Sequence, residues 1–201
     1  MSDAQNQGLL VVISGPSGVG KTTIVHRVQE AFEATFSVSA TTRPRGKGEE
    51  DGIDYFFVDD DRFQTMLDEG EFLEHAEVFG RHRYGTPRGA VAEVLEDGRI
   101  MLLDIDVQGG IQIRRNLPGA LMLFVLPPSD EELRRRLEQR GRDDDEAIEV
   151  RFSEARREAQ LARNCAAYDH FIVNDDLDLA VREAVAVIRR HRSQATAAGR
   201  A

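Results

Sequence analysis

The chain has 201 residues with 41% hydrophobic content, enough to bury a substantial core as one domain or as one domain with a small insert. A formal net charge of −10 argues against general binding to nucleic acid or to an anionic membrane, both of which demand an excess of basic surface, so any phosphate chemistry has to be local. Cys165 is the only cysteine, which excludes an intramolecular disulfide and a cysteine-based metal centre and leaves a buried structural thiol as its expected role. The start is polar, without a basic segment followed by a long apolar one, and no stretch approaches the roughly 18 apolar residues of a membrane span. Cytoplasm is the expected compartment.

In chain order, Leu9 to Ser14 is a continuous apolar, β-branched run, as expected of a strand buried on both faces of a parallel sheet. It leads into Gly15, and from Lys21 to about Phe32 the apolar residues Ile24, Val25, Val28 and Phe32 recur at helical spacing. The stretch from about Val38 to Gly98 breaks this rhythm. It is rich in Gly, Arg, Asp and aromatic residues around short strand-like pieces such as Tyr55 to Val58, and reads as an insert with its own task. Ile100 to Ile105 and Leu121 to Leu126 read as two further buried strands and Phe171 to Val173 as a short one, each followed by a helical segment. This alternation predicts an α/β fold with a mainly parallel sheet covered on both sides. Arg140 to Asp145 is highly charged between two helical segments and has the character of a mobile lid, its aspartates suiting the positive end of the second helix.

Gly15-Pro16-Ser17-Gly18-Val19-Gly20-Lys21-Thr22 fits the pattern G-x-x-x-x-G-K-[ST] in the context that it requires, a strand before and a helix after. The glycines let backbone N–H groups curl around phosphates, the helix end adds positive potential, Lys21 reaches the β- and γ-phosphates, and the Thr22 hydroxyl faces Mg²⁺. All but two of the 26 basic residues are arginine, and the two lysines, Lys21 and Lys47, both lie in Gly-rich segments. Asp104 ends an apolar strand and Asp106 follows it. In an open parallel sheet ligands sit beyond the carboxyl ends of strands, so both carboxylates fall near a phosphate-bound metal or its waters. Asp106 equally suits the cap of a helix starting near Val107. Arg134, Arg135, Arg136, Arg140, Arg142 and Arg151 cluster around the lid; such a run is either a solvated face or a set of charges that closes on a transferring phosphoryl group.

Together with these motifs, the blocks SVSATTR at 37 to 43, DYFF at 54 to 57, FLEHAEVFG at 72 to 80, YGT at 84 to 86, LDIDVQG at 103 to 109, LPPS at 126 to 129 and IVNDDLD at 172 to 178 resemble the guanylate kinase family of P-loop nucleoside monophosphate kinases, from about Leu9 to His191. The resemblance implies a P-loop three-layer core (1–37 and 99–201), an inserted GMP-binding region (38–98) and a helical lid (about 136–153). It implies ATP with Mg²⁺ and GMP as ligands, and it leaves homo-oligomerisation open. ATP falls to the loop from Gly15 through Thr22 and Thr23, with Asn174 and Asp175 beside adenine, although these two equally suit a turn after the last strand. Lys21, Arg136, Arg140 and Arg151 become the catalytic cations. GMP's phosphate falls to Arg43, Tyr55 and Tyr84 and its guanine to Ser39, Glu74 and Thr86, with Asp104 facing the same site. Thr22 and, through water, Asp106 stand near the metal. Guanine agrees chemically, since N1–H and the 2-amino group are adjacent donors and one carboxylate accepts from both.

Two departures from the family pattern stand out. Its usual second phosphate-binding arginine falls on Gly46, between Arg45 and Lys47, so one of these two replaces it; and the segment from Gly80 to Tyr84 is one residue longer than usual. The readings of another class are a binding module that has kept the fold without catalysis, and a P-loop kinase with a different small acceptor.

Overall fold

The structure, a computed structural model, describes residues 8–78, 81–139 and 145–198. Arg140, Arg142 and Gly80 therefore lie outside the described residues. The first strand, β1 (Leu9–Ser14), is buried at every residue, and α1 (Lys21–Phe32) follows the glycine loop. Next come β2 (Thr35–Phe36), β3 (Ala40–Thr41), β4 (Phe56–Phe57), α2 (Asp60–Asp68), β5 (Phe72–Val78), β6 (His82–Pro87) and α3 (Arg88–Glu96). The chain then runs through β7 (Ile100–Asp104), α4 (Val107–Asn116), β8 (Leu121–Leu126), α5 (Asp130–Glu138), α6 (Asp145–Asn164), β9 (His170–Val173) and α7 (Leu177–Ala198).

Five strands form one sheet in the order β2-β7-β1-β8-β9, and every pairing in it is parallel. Its two faces sort by the period-two alternation of β1. Leu9, Val11 and Ile13 pack with Ile24, Val25 and Val28 of α1 and with Ala180, Val181 and Ala184 of α7. Leu10 and Val12 turn to the opposite face, against α3 through Val91 and Val94, α4 through Val107 and Ile113, and Ala162 of α6. This is the three-layer α/β architecture that unbroken apolar strands predict.

The second sheet, in the order β4-β3-β6-β5, is mixed: β3 and β4 run parallel, whereas β6 is antiparallel to both β3 and β5. A small core of Ala40, Phe63, Met66 and Phe72 joins it to α2. Residues 88–96 of the expected insert are α3, which packs on the main sheet rather than on this small core. Cys165 is half-buried rather than buried, its Sγ–H donating to the Ala162 carbonyl at 3.4 Å. No helix among the described residues is long and apolar enough to cross a membrane.

Candidate active site

The carboxyl ends of β1, β7 and β8 open on the same edge of the sheet, where the chain passes from one side of β1 to the other; that crevice is where open α/β sheets bind ligands. The loop after β1 ends at Gly20, whose φ of 88° is left-handed and whose Cβ, if it had one, would sit 2.5 Å from Asn174 Nδ2. Residue 20 is therefore constrained to glycine twice over. The helix that follows has no side-chain cap and no acidic residue in its first turn, which leaves its N–H groups and its positive end to an anion. The neighbouring helix starts at this crevice are satisfied internally: Asp106 accepts from Gly109 N at 2.8 Å and Ser129 from Glu132 N at 3.2 Å.

A cavity of 380 Å³ lies over this helix end, lined by the loop from Gly15 to Gly18, Gly20, Lys21, Thr22, Thr23, Asp106 and Glu158. Val19, by contrast, is fully buried and supports the loop from behind. Its carbonyl accepts from Asn174 Nδ2 at 2.7 Å, so the Asn174 amide acts as a strut under the loop. Asp175 is exposed beside it. Arg151 of α6 donates to Ser17 Oγ at 2.6 Å, while Arg136 of α5 is held by Glu132 at 2.6 Å and by the Asn174 carbonyl at 3.0 Å. Two guanidinium groups thus stand near the loop. Asp106 both caps α4 and lines the cavity, so the two roles read for it from sequence are compatible.

Glu158 went unnoticed in the sequence. It lies on α6 seven residues after Arg151, two turns along the same face, and burial together with the neighbouring Asp106 and Glu154 pushes its carboxyl up to about 7 against the opposing pull of Lys21. The helical period from Arg151 was the signal for it.

A second cavity, of 200 Å³, is lined by Phe36, Ser37, Ser39, Asp54, Tyr55, Thr86, Leu103, Asp104 and Ile105. Lys21 and Asp104 form an ion pair, so one residue of each cavity joins the two. Glu74 on β5 pairs with Thr86 on β6, and the Thr86 hydroxyl donates to Glu74 Oε1 at 2.6 Å. Both side chains are buried, Glu74 6% exposed and Thr86 not at all. Burial raises the Glu74 carboxyl above the usual range, the Thr86 hydrogen bond opposes this, and the Asp106 charge adds to it.

Arg43, Tyr55 and Tyr84 converge at one end of this region. The Arg43 guanidinium lies 5.2 Å from the centre of the Tyr55 ring, and Tyr55 and Tyr84 meet edge-on with centroids 5.8 Å apart. The planar fork of Arg43 is filled by Glu49, with bonds of 2.9 and 2.7 Å. Such a two-oxygen partner has the geometry of a phosphate edge. Gly46 N also donates to Glu49, at 2.6 Å, and Arg45 Nε bonds the Glu49 carbonyl; Arg45 and Lys47 are both exposed. Sequence reasoning missed Ser37 and Asp54. Ser37 Oγ is buried without a hydrogen-bond partner among the described residues, and its position two before Ser39 on an extended segment was the available sign.

A phosphate-binding loop joined through Lys21–Asp104 to a second polar cavity is the arrangement of a P-loop phosphotransferase, with two adjoining cavities at one edge of the sheet. Comparison with known proteins is in accord. The family model for guanylate kinase matches residues 7–191. The guanylate kinase of Alkalilimnicola ehrlichii is 52% identical over 188 residues, covering 92% of this chain and 91% of that one. A guanylate kinase of Thermus thermophilus is 44% identical over 195 residues, covering 97% and 87%. The crystal structure of guanylate kinase from Anaplasma phagocytophilum matches with a TM-score of 0.69 at 34% identity, over 93% of this chain and 87% of that one. This chain belongs to the guanylate kinase family, phosphotransferases of the nucleoside monophosphate kinase class.

Proposed function

We propose that the chain transfers the γ-phosphoryl group of ATP to GMP by direct in-line attack of a GMP phosphate oxygen, without a covalent enzyme intermediate. The observation that carries this reading is the Glu74 carboxylate, buried and hydrogen-bonded to Thr86 of the second cavity, where it suits the two adjacent donors of guanine. Arg43, Tyr55 and Tyr84 hold the GMP phosphate, which displaces Glu49 from the Arg43 fork. Arg45 supplies the second cation, since it already bonds the same Glu49 residue. Ser39 and Thr86 complete the guanine contacts, and Asp104 faces the acceptor.

The donor phosphates occupy the loop from Gly15 to Thr23. Lys21, Arg136 and Arg151, with Arg140 of the lid, stabilise charge on the oxygens in flight, and Asn174 and Asp175 border adenine. Closure of the lid expels water, which otherwise competes as acceptor. GMP's phosphate is largely anionic near neutral pH, so no strong general base is assigned.

Among the described residues no group of three or more His, Cys, Asp or Glu side chains is arranged to hold a metal ion. The hydroxyl of Thr22 and the carboxylate of Asp106 fit a hard cation that arrives on substrate phosphates and keeps most of its waters, as Mg²⁺ does. When bound, it would neutralise charge on the donor phosphates. Location in the cytoplasm belongs to the same reading.

A coupled assay for ADP release with GMP, IMP, AMP and UMP tests the proposal; faster turnover with AMP or UMP than with GMP overturns it. Acidity provides a second measurement. A protonated Glu74 retains an O–H and no longer accepts from two donors, so the kcat/KM ratio of GMP over IMP should fall as pH drops through its raised pKa. GMP and IMP carry the same phosphate, and its titration cancels in the ratio. The stability contribution has the opposite sign: a native carboxyl with raised pKa binds its proton more tightly than the unfolded chain, so that stabilisation is present at low pH and lost as pH rises through the native pKa. A GMP/IMP ratio that stays flat from pH 8 down to the acid limit of the fold would count against Glu74 as the reader.

A further inference from the structure

Strand β5 ends its sheet and pairs only with β6, which leaves backbone groups along its other edge without a strand to meet them. Helix α4 of the core supplies the missing partners. Gln112 takes both polar groups of His75, accepting from its N–H at 3.2 Å and donating to its carbonyl at 2.9 Å. Asn116 Nδ2 donates to the Leu73 carbonyl at 2.6 Å. These backbone groups lie immediately before and after Glu74. One turn earlier, Gly109 approaches the same residue: a Cβ there would sit 2.8 Å from Glu74 Oε2. Residues 109, 112 and 116, spaced by three and four, form one helical face that grips the strand on both sides of Glu74 and abuts its carboxylate. The first turn of that helix is fixed at the phosphate cavity, since Asp106 accepts from Gly109 N.

We propose that Gly109, Gln112 and Asn116 are positioning residues for base choice: this face of α4 sets the angle of the Glu74 carboxylate so that both oxygens meet guanine's two donors. The inference rests on Glu74 being the base reader. Its consequence is specific, because a two-point contact requires a fixed carboxylate plane, whereas a base with one donor tolerates rotation about its single hydrogen bond. Loosening or displacing the carboxylate therefore penalises GMP more than IMP, while a general loss of structure penalises both alike.

The test uses the full chain with three variants, Gly109→Ala, Gln112→Glu and Asn116→Asp, beside Glu74→Gln. Gly109→Ala presses on Oε2; the other two are nearly isosteric and remove the donation to His75 and Leu73 carbonyls. We expect kcat/KM for GMP to fall about tenfold and that for IMP less than threefold, with the KM for ATP within twofold of the parent and a cooperative unfolding transition retained. If the folded variants keep the GMP/IMP ratio within twofold, or lose GMP and IMP activity equally, the positioning role is overturned. Gly109→Ala removes no hydrogen-bonding side chain, so it decides the question alone if the other two fail to fold. A Glu74→Gln protein that itself kept the parent's ratio would instead remove the reading on which the inference rests, so the two failures are told apart.

Discussion

Replacing Lys21 by methionine should lower kcat by about three orders of magnitude, at the upper end of what removal of one preorganised charge-stabilising donor costs, and should leave the fold intact. The reasons lie in its surroundings. Lys21 opens α1 at the floor of the phosphate cavity, and its ammonium pairs with Asp104 rather than with anything in the core. Both side chains are about one-fifth exposed, so the pair is partly solvated and contributes little to stability. Methionine keeps the length of the stem and a strong helix propensity, so the first turn of α1 should persist. On the proposed function, what it deletes is the positive charge at the β- and γ-phosphates; in the structure it also removes the partner that neutralises Asp104 at the second cavity. A steady-state ADP assay and a thermal unfolding curve suffice to check this. A mutant that retained a tenth of the parent's kcat would contradict the role, and a large fall in unfolding temperature would show the lysine to be structural.

The parts of this site that were legible in the sequence are those built from consecutive residues. The phosphate loop is one, because its backbone geometry demands glycine and its chemistry demands lysine within eight positions, and the α1 span of Lys21–Phe32 follows from the spacing of Ile24, Val25 and Val28. The apolar runs of β1, β7 and β8 predicted a parallel sheet because strands buried on both faces lose the alternation of half-exposed ones. The second sheet was far less legible. Its strands β3 and β4 are two residues each, too short for any period to show, and β3 is defined by pairing across more than forty positions with β6. Glu74 illustrates the same limit. Between Glu71 and Glu77 it reads by itself as one more surface glutamate; only the register with Thr86 and the approach of Gly109 make it buried. Asn174 likewise reads as a turn residue until the fold carries its amide under Val19, 155 positions away.

Glu74→Gln is the substitution in which that long-range geometry should show most directly. The parent is expected to use GMP best, IMP clearly less well and AMP very poorly. IMP keeps N1–H and lacks the 2-amino donor, whereas adenine turns the N1 lone pair toward the carboxylate and sets acceptor against acceptor. A hydrogen bond to a charged group contributes roughly 1.5 to 3 kcal/mol, so losing one should lower kcat/KM about ten- to a hundredfold. In the glutamine variant the Thr86 hydroxyl, 2.6 Å from Oε1 in the parent, needs an acceptor in the same buried place. The amide oxygen satisfies it best there, and the NH₂ group is then presented to guanine, donor against donor. GMP use should therefore fall toward the hundredfold end, IMP should fall less, and the KM for ATP should stay within twofold because the amide lies outside the phosphate cavity. The same NH₂ group suits a purine with a carbonyl at position 2, so XMP, a poor acceptor for the parent, should gain on GMP in the variant. Measuring kcat/KM for GMP, IMP, AMP and XMP on both proteins checks each step. If the variant kept the parent's order and ratios, base reading would pass from Glu74 to Ser39 or Thr86.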